Sequence, residues 1–202
     1  MVLVQNYRPI KLVIVGDSGV GKTCMLITHC SKSFPTEYIP VVFDNYTDSS
    51  SVITVDGFRV SLGYWDTTVG RAEYDRIRVL CYPSTDLFLI CFSVVNQESF
   101  ANVSGRWYPE IRQHCPDTPF ILVGTKSDLT TDSETLEILA SREQTVVTPE
   151  QIEYVTEHLG AIEYFECSAL INYGLQPIFD KVIQTVLYPQ YSKKNSSKCT
   201  IL

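Results

Sequence analysis

With 202 residues, 45% of them apolar and 19% charged, the chain has the composition of one compact domain plus a tail. Such a domain buries about 70% of the surface that its unfolded form exposes. Sixteen Lys and Arg against 23 Asp and Glu leave a net charge of −7, which argues against any general electrostatic attraction to nucleic acid.

The first predicted strand, IKLVIV (10–15), runs directly into GDSGVGKT and then into a helix-like stretch, CMLITHCSKS. Two further strand candidates, 51–55 and 58–65, flank Asp56-Gly57, a strong hairpin signal that predicts an antiparallel pair. From there strands and helices alternate: DLFLICFSVV (86–95), a helix over 97–114, FILVGT (120–125), a helix over 149–159, EYFECS (163–168) and a helix over 175–187. This rhythm implies an α/β fold, with a largely parallel sheet covered on both faces and ligands at the carboxyl ends of its strands. A polar insert from Thr130 to Thr148 carries its own helical pattern, SETLEILASRE, and from Tyr188 the composition turns to that of a flexible tail. No apolar run approaches the ~18 residues of a membrane span. Seven cysteines, an odd count without paired metal-ligand spacing, read as free thiols in a reducing compartment.

The chemistry starts in the loop after the first strand. Gly16, Asp17, Ser18, Gly19, Val20, Gly21, Lys22 and Thr23 match G-x-x-x-x-G-K-[ST]. In that pattern backbone N–H groups cradle phosphates, the lysine reaches the β and γ oxygens, and the hydroxyl binds Mg²⁺. Cys24 follows directly; as a thiol beside the nucleotide it is redox-sensitive, as a small helix residue it is packing, and packing is the reading the sequence favours. A base reader is expected later. Thr125, Lys126 and Asp128 follow a strand, where the carboxylate accepts two hydrogen bonds from the N1–H and exocyclic amine of guanine while the lysine stem packs on the ring. After the next strand, Ser168 and Ala169 offer a backbone N–H to guanine O6. A P-loop kinase or ATPase is disfavoured, because adenine presents no such donor pair.

With these motifs in order the chain resembles the Ras-like small GTPases and, more closely, the Rho family. The resemblance rests on GDSGVGKT, on FPTEYIPVVFDNY (34–46), on WDT (65–67), on YDRIRVLCYPSTD (74–86), and on WYPEI, PFILVGTKSDL and ECSAL. It implies a G domain over residues 1–188 with a six-stranded, mostly parallel sheet, one antiparallel edge strand, helices on both faces and a Rho-type insert helix at about 130–148. It also implies a switch that holds GTP or GDP with Mg²⁺, acts as a monomer, and is served by exchange factors, activating proteins, a dissociation inhibitor and effectors. By the same resemblance Phe34 stacks on the guanine, Asp66 reaches Mg²⁺ through water, and Tyr38, Ile39, Pro40, Val41, Val42, Phe43, Asp44, Asn45 and Tyr46 form the effector loop.

Three departures bear on hydrolysis. The family's second switch reads D-T-A-G-Q, and its glutamine orients the attacking water. Here Asp66-Thr67-Thr68-Val69-Gly70-Arg71 has one residue more before the glycine, and Arg71 stands in the glutamine's place. Arginine has five N–H donors and no acceptor, so it cannot accept a hydrogen bond from water. The extra residue also displaces the Gly70 N–H that contacts the γ-phosphate in the family. Ser18 stands where the family usually has glycine and crowds the space of an arginine finger, which is worth roughly 10³ to 10⁵ in rate. Val41 replaces the threonine whose hydroxyl ligates Mg²⁺ in the GTP state. GTP binding with slow hydrolysis is the favoured reading; an ordinary cycling GTPase, with Arg71 acting in cis, and a nucleotide-independent scaffold stay open. Around Asp48 to Ser51 the chain also carries three residues more than the usual spacing between Tyr46 and the hairpin turn.

At the ends of the sequence, MVLVQNYRPIK has neither a secretion signal's pattern nor a glycine after Met1 for myristoylation. Residues 189–202 form the expected tail, and Cys199-Thr200-Ile201-Leu202 fits C-a-a-X, whose terminal leucine favours geranylgeranylation of Cys199. One lipid with Lys193, Lys194 and Lys198 beside it implies reversible attachment to the cytoplasmic face of a membrane, the plasma membrane by resemblance, with a cytosolic pool.

Overall fold

The computed structural model describes residues 6–36, 44–55, 58–67 and 78–189. Its strands are β1 (Asn6–Gly16), β2 (Asp44–Val55), β3 (Phe58–Asp66), β4 (Leu87–Ser93), β5 (Phe120–Thr125) and β6 (Tyr164–Glu166). Its α-helices are α1 (Lys22–Ser31), α2 (Gln97–Asn102), α3 (Tyr108–His114), α4 (Ser133–Ser141), α5 (Pro149–Leu159) and α6 (Leu175–Leu187). The six strands form one sheet in the order β2-β3-β1-β4-β5-β6. Only the β2–β3 pair is antiparallel, as the alternating pattern and the family resemblance anticipate.

Side chains of β1 divide between two cores because a strand alternates its faces. Leu12 and Ile14 join Leu89, Val123, Met25 and Phe179 under α1 and α6, while Val13 and Val15 join Phe88, Ile90, Phe100 and Ile111 under α2 and α3. Every residue of β4 and β5 is buried, which is why both read as unbroken apolar runs. The helix over 149–159 has the predicted bounds. Thr148 and Gln151 make a reciprocal capping box at its start, and Gly160 closes it in the left-handed conformation.

Three elements differ from the sequence reading. β1 begins four residues before Ile10, because Asn6 to Pro9 pair with β3 although Tyr7, Arg8 and Pro9 are exposed. β2 begins at Asp44 rather than Ser51, so Asp44, Asn45 and Tyr46 enter the sheet opposite Asp66, Trp65 and Tyr64. Further along, Thr47 pairs with Gly63 and Val52 with Ser61, five steps on β2 against two on β3. The three extra residues are therefore accommodated as an interruption of the ladder. Finally, residues 97–114 are not one regular helix: α2 and α3 are joined by a π-turn, Val103–Trp107.

Candidate functional site

The carboxyl ends of β1, β4, β5 and β6 lie side by side, and the loop from Gly16 to Lys22 crosses them. The loop owes its path to glycine. Gly16 has φ +144°, and a Cβ there would stand 2.2 Å from the carbonyl oxygen of Cys91 on β4. Gly19 and Gly21 also have positive φ, at 74° and 104°. Gly21 is the N-cap of α1 and provides no side-chain cap, so the helix's first N–H groups are left for an anion.

Lys22 is 2% exposed, and its Nζ donates to the carbonyls of Gly16 and Asp17 at 2.7 Å each. Burial lowers its pKa, an effect opposed by the nearby Asp66 carboxylate. Thr23 Oγ1 donates to Asp66 Oδ2, so the two residues expected at Mg²⁺ adjoin each other; Asp66 is 1% exposed. Thr67 Oγ1 donates to the Ile14 carbonyl at 2.6 Å, which ties the end of β3 to β1 beneath the loop. Hard oxygen donors such as these two suit Mg²⁺ when substrate phosphates complete the shell. Among the described residues no group of three or more His, Cys, Asp or Glu gathers to hold a metal. Ser18 is exposed.

Beside the loop is a cavity of about 260 Å³. Gly21, Cys24 and Met25 form one wall and Phe34 another; Thr125, Lys126, Asp128 and Leu129 come from the loop after β5, and Cys167, Ala169 and Leu170 from the end of β6 and the loop beyond. Its volume falls just below the roughly 300 Å³ at which pockets for whole small molecules begin, which suits a base whose phosphates lie outside over the loop. Thr125 Oγ1 stands within hydrogen-bonding reach of the Val20 and Phe92 carbonyls, and its single proton serves one at a time. Lys126 has φ 61°, which starts the turn that carries Asp128. Ser127 N donates to the Cys167 carbonyl at 3.1 Å and Cys167 N to the Gly124 carbonyl at 2.8 Å, so the two loops expected to read the base are laced together. Ser168 is fully buried and pairs with Tyr173 in both directions. Burial pushes the Cys167 thiol up to about 12 and raises that of Cys24.

The model of the Ras family matches residues 11–188. The chain belongs to the Ras family. A Ras-family domain is a small-GTPase switch that binds GTP, and the features of that class fall where the motifs put them: the phosphate loop after the first strand and a cavity beside it. Of the Ras-family site residues named from the sequence, the structure brings Gly16 to Cys24, Phe34, Asp66, Thr125, Lys126, Asp128, Ser168 and Ala169 to this one edge of the sheet. Gly70, Arg71, Cys199 and the effector-loop residues Tyr38, Ile39, Pro40, Val41, Val42 and Phe43 lie outside the described residues. Sequence reasoning missed Met25, Leu129, Cys167 and Leu170 as cavity walls, because short apolar residues look alike wherever they pack. It also missed Asn102 and Trp107, which hold Asp17.

Proposed function

We propose that this protein is a Rho-type guanine-nucleotide switch that binds GTP and hydrolyses it slowly. One observation carries the nucleotide part: the phosphate loop and the Thr23–Asp66 pair adjoin a base-sized cavity that Asp128 and Ala169 line. In this reading Lys22 exchanges its carbonyl partners for phosphate oxygens, and the first N–H groups of α1 complete the cradle. Asp128 accepts from guanine N1–H and the exocyclic amine, Ala169 N–H donates to O6, and Phe34 covers the ring. Thr23 and, through water, Asp66 hold Mg²⁺, which when bound neutralises charge on the β and γ oxygens.

The Rho assignment draws support from α4, a helix between Asp128 and Thr148 at the place of the family's insert. Asp132 caps it, its carboxylate accepting from the Thr135 N–H at 2.8 Å. Slow hydrolysis draws on residue chemistry alone. Arg71 offers no acceptor to a water, Val41 offers no ligand to a metal, and Ser18 fills space that an arginine finger needs. Residues 1–188 form the G domain and 189–202 a tail that geranylgeranylation of Cys199 attaches reversibly to the cytoplasmic face of the plasma membrane. Exchange factors, a dissociation inhibitor and effectors are the expected partners of the monomer.

The deciding experiment purifies the protein without added nucleotide, denatures it, and identifies the released nucleotide by chromatography. Mostly GTP is the expected result. Mostly GDP overturns slow hydrolysis and restores an ordinary cycling GTPase, while an empty protein overturns the nucleotide reading.

A further inference from the structure

A regular α-helix turns about 100° per residue, so side chains five positions apart point about 140° away from each other. Asn102 and Trp107 are five apart, yet both reach the same carboxylate. Trp107 Nε1 donates to Asp17 Oδ1 at 2.8 Å and Asn102 Nδ2 to Asp17 Oδ2 at 2.7 Å. The π-turn makes this convergence: Tyr108 N donates to the Val103 carbonyl, an i→i+5 bond that fits one more residue into the turn.

Asp17 is thus held at two points. Its carboxylate is fixed by the π-turn, and its carbonyl accepts from Lys22 Nζ at 2.7 Å. A carboxylate in an anion-binding loop opposes phosphate unless it is turned aside and paired. Here it is both, against an indole that is itself clamped. The guanidinium carbons of Arg78 and Arg106 lie 4.8 and 4.6 Å from the Trp107 ring centroid. Arg78 is 2% exposed, and its Nε and NH2 groups donate to the two Glu110 oxygens at 3.0 and 2.6 Å. Tyr82 donates its hydroxyl to the same carboxylate. Arg78 directly follows the segment that contains Gly70 and Arg71.

Resting on the nucleotide site proposed above, we propose that Asn102 and Trp107 are positioning residues for the phosphate loop. They hold the Asp17 charge away from bound phosphate, and Trp107 links the setting of Arg78 to that of Lys22. Nucleotide residence time then depends on a contact that touches no nucleotide.

The test loads the full-length protein with N-methylanthraniloyl-GDP and follows release by fluorescence. Trp107→Phe keeps an aromatic ring for the two arginines and deletes the N–H along with part of the buried indole. Release is expected to quicken on the order of tenfold, the worth of one hydrogen bond to a charge, and the reversal by Asp17→Asn separates that loss from the loss of packing. Adding Asp17→Asn removes the charge left short of a partner, because the Asn102 amide can turn its oxygen to the new amide. This double variant is expected to return to within about threefold of wild type. Arg78→Lys is expected to quicken release in the wild-type background and to add nothing to Trp107→Phe. If Trp107→Phe does not fold, Asn102→Ala removes the other donor and is read in the same way. Unchanged release in the single variants, or acceleration that Asp17→Asn does not reverse, overturns the inference and leaves the nucleotide site standing. Strictly additive effects of Arg78→Lys and Trp107→Phe overturn the link to Arg78. A wild-type protein that binds no probe overturns the nucleotide reading and this inference with it.

Discussion

The two ends of the candidate site are built from different materials. At the phosphate end the shape comes from backbone: glycines at positive φ, an uncapped helix start, and a buried lysine held by carbonyls. At the base end it comes mostly from side chains, those of two loops together with Phe34 and the start of α1, around a cavity of about 260 Å³. Backbone geometry leaves few substitutes, whereas a side-chain wall changes by degrees. In the function proposed above, the first end therefore decides whether a nucleotide binds, and the second decides which one.

The largest effect is expected where the backbone is tightest. In Gly16→Ala the new Cβ falls 2.2 Å from a β4 carbonyl oxygen at a φ that L-residues avoid, so β1 and β4 separate or the loop shifts. A loss of several kcal/mol in stability and of measurable nucleotide binding is expected from denaturation and titration. A variant with wild-type melting and affinity would remove the contrast. Next, Asp128→Ala should weaken guanine nucleotide binding on the order of 10³-fold through two charge-assisted hydrogen bonds, with the melting temperature of the nucleotide-free protein held within a degree or two. A comparable loss for adenine nucleotides would mean that Asp128 does not read the base. Phe34→Ala removes one cavity wall and should cost about three- to tenfold in affinity, seen as faster release.

The smallest effect concerns what the two ends share. Cys91 pairs with Gly16 under the phosphate loop, and Cys167 backs the base cavity. Burial raises the pKa of both thiols, that of Cys167 to about 12, whereas a thiol in the unfolded chain ionises near 9.0. The unfolded state therefore sheds protons first. Their stabilising contribution is whole below about pH 9 and is lost as pH rises from there toward 12. Melting temperature should fall over that window, and Cys167→Ala should flatten the fall; identical slopes in the two proteins would exclude Cys167 as its source.

Legibility in the sequence followed the physical origin of each element. β4, β5, α5 and α6 were readable because burial on both faces, a cap or an apolar stripe writes itself into residue type, as in LFLICFS, in Thr148 with Gln151, or in Leu175, Ile178, Phe179, Val182 and Ile183. The first residues of β1 and β2 were not, since Tyr7 to Pro9 pair with β3 while exposed, and Asp44 and Asn45 are residue types that do not announce a strand. In the site, Lys22, Thr23, Asp128 and Ala169 were named because phosphate and guanine demand particular atoms at particular spacings, whereas Asp66 and Phe34 came from the family resemblance. The grip of Asn102 and Trp107 on Asp17 left no such trace, because nothing in the stretch 97–114 announces a π-turn.

The broken register of β2 has its own consequence. An outermost strand displays unpaired N–H and C=O groups that another chain can copy. Here the ladder runs from Asp44 to Thr47, stops, and resumes from Val52 to Val55. A visiting strand that fits the first run is three residues out of step by the second, so this edge is a poor template for stacking one molecule onto the next.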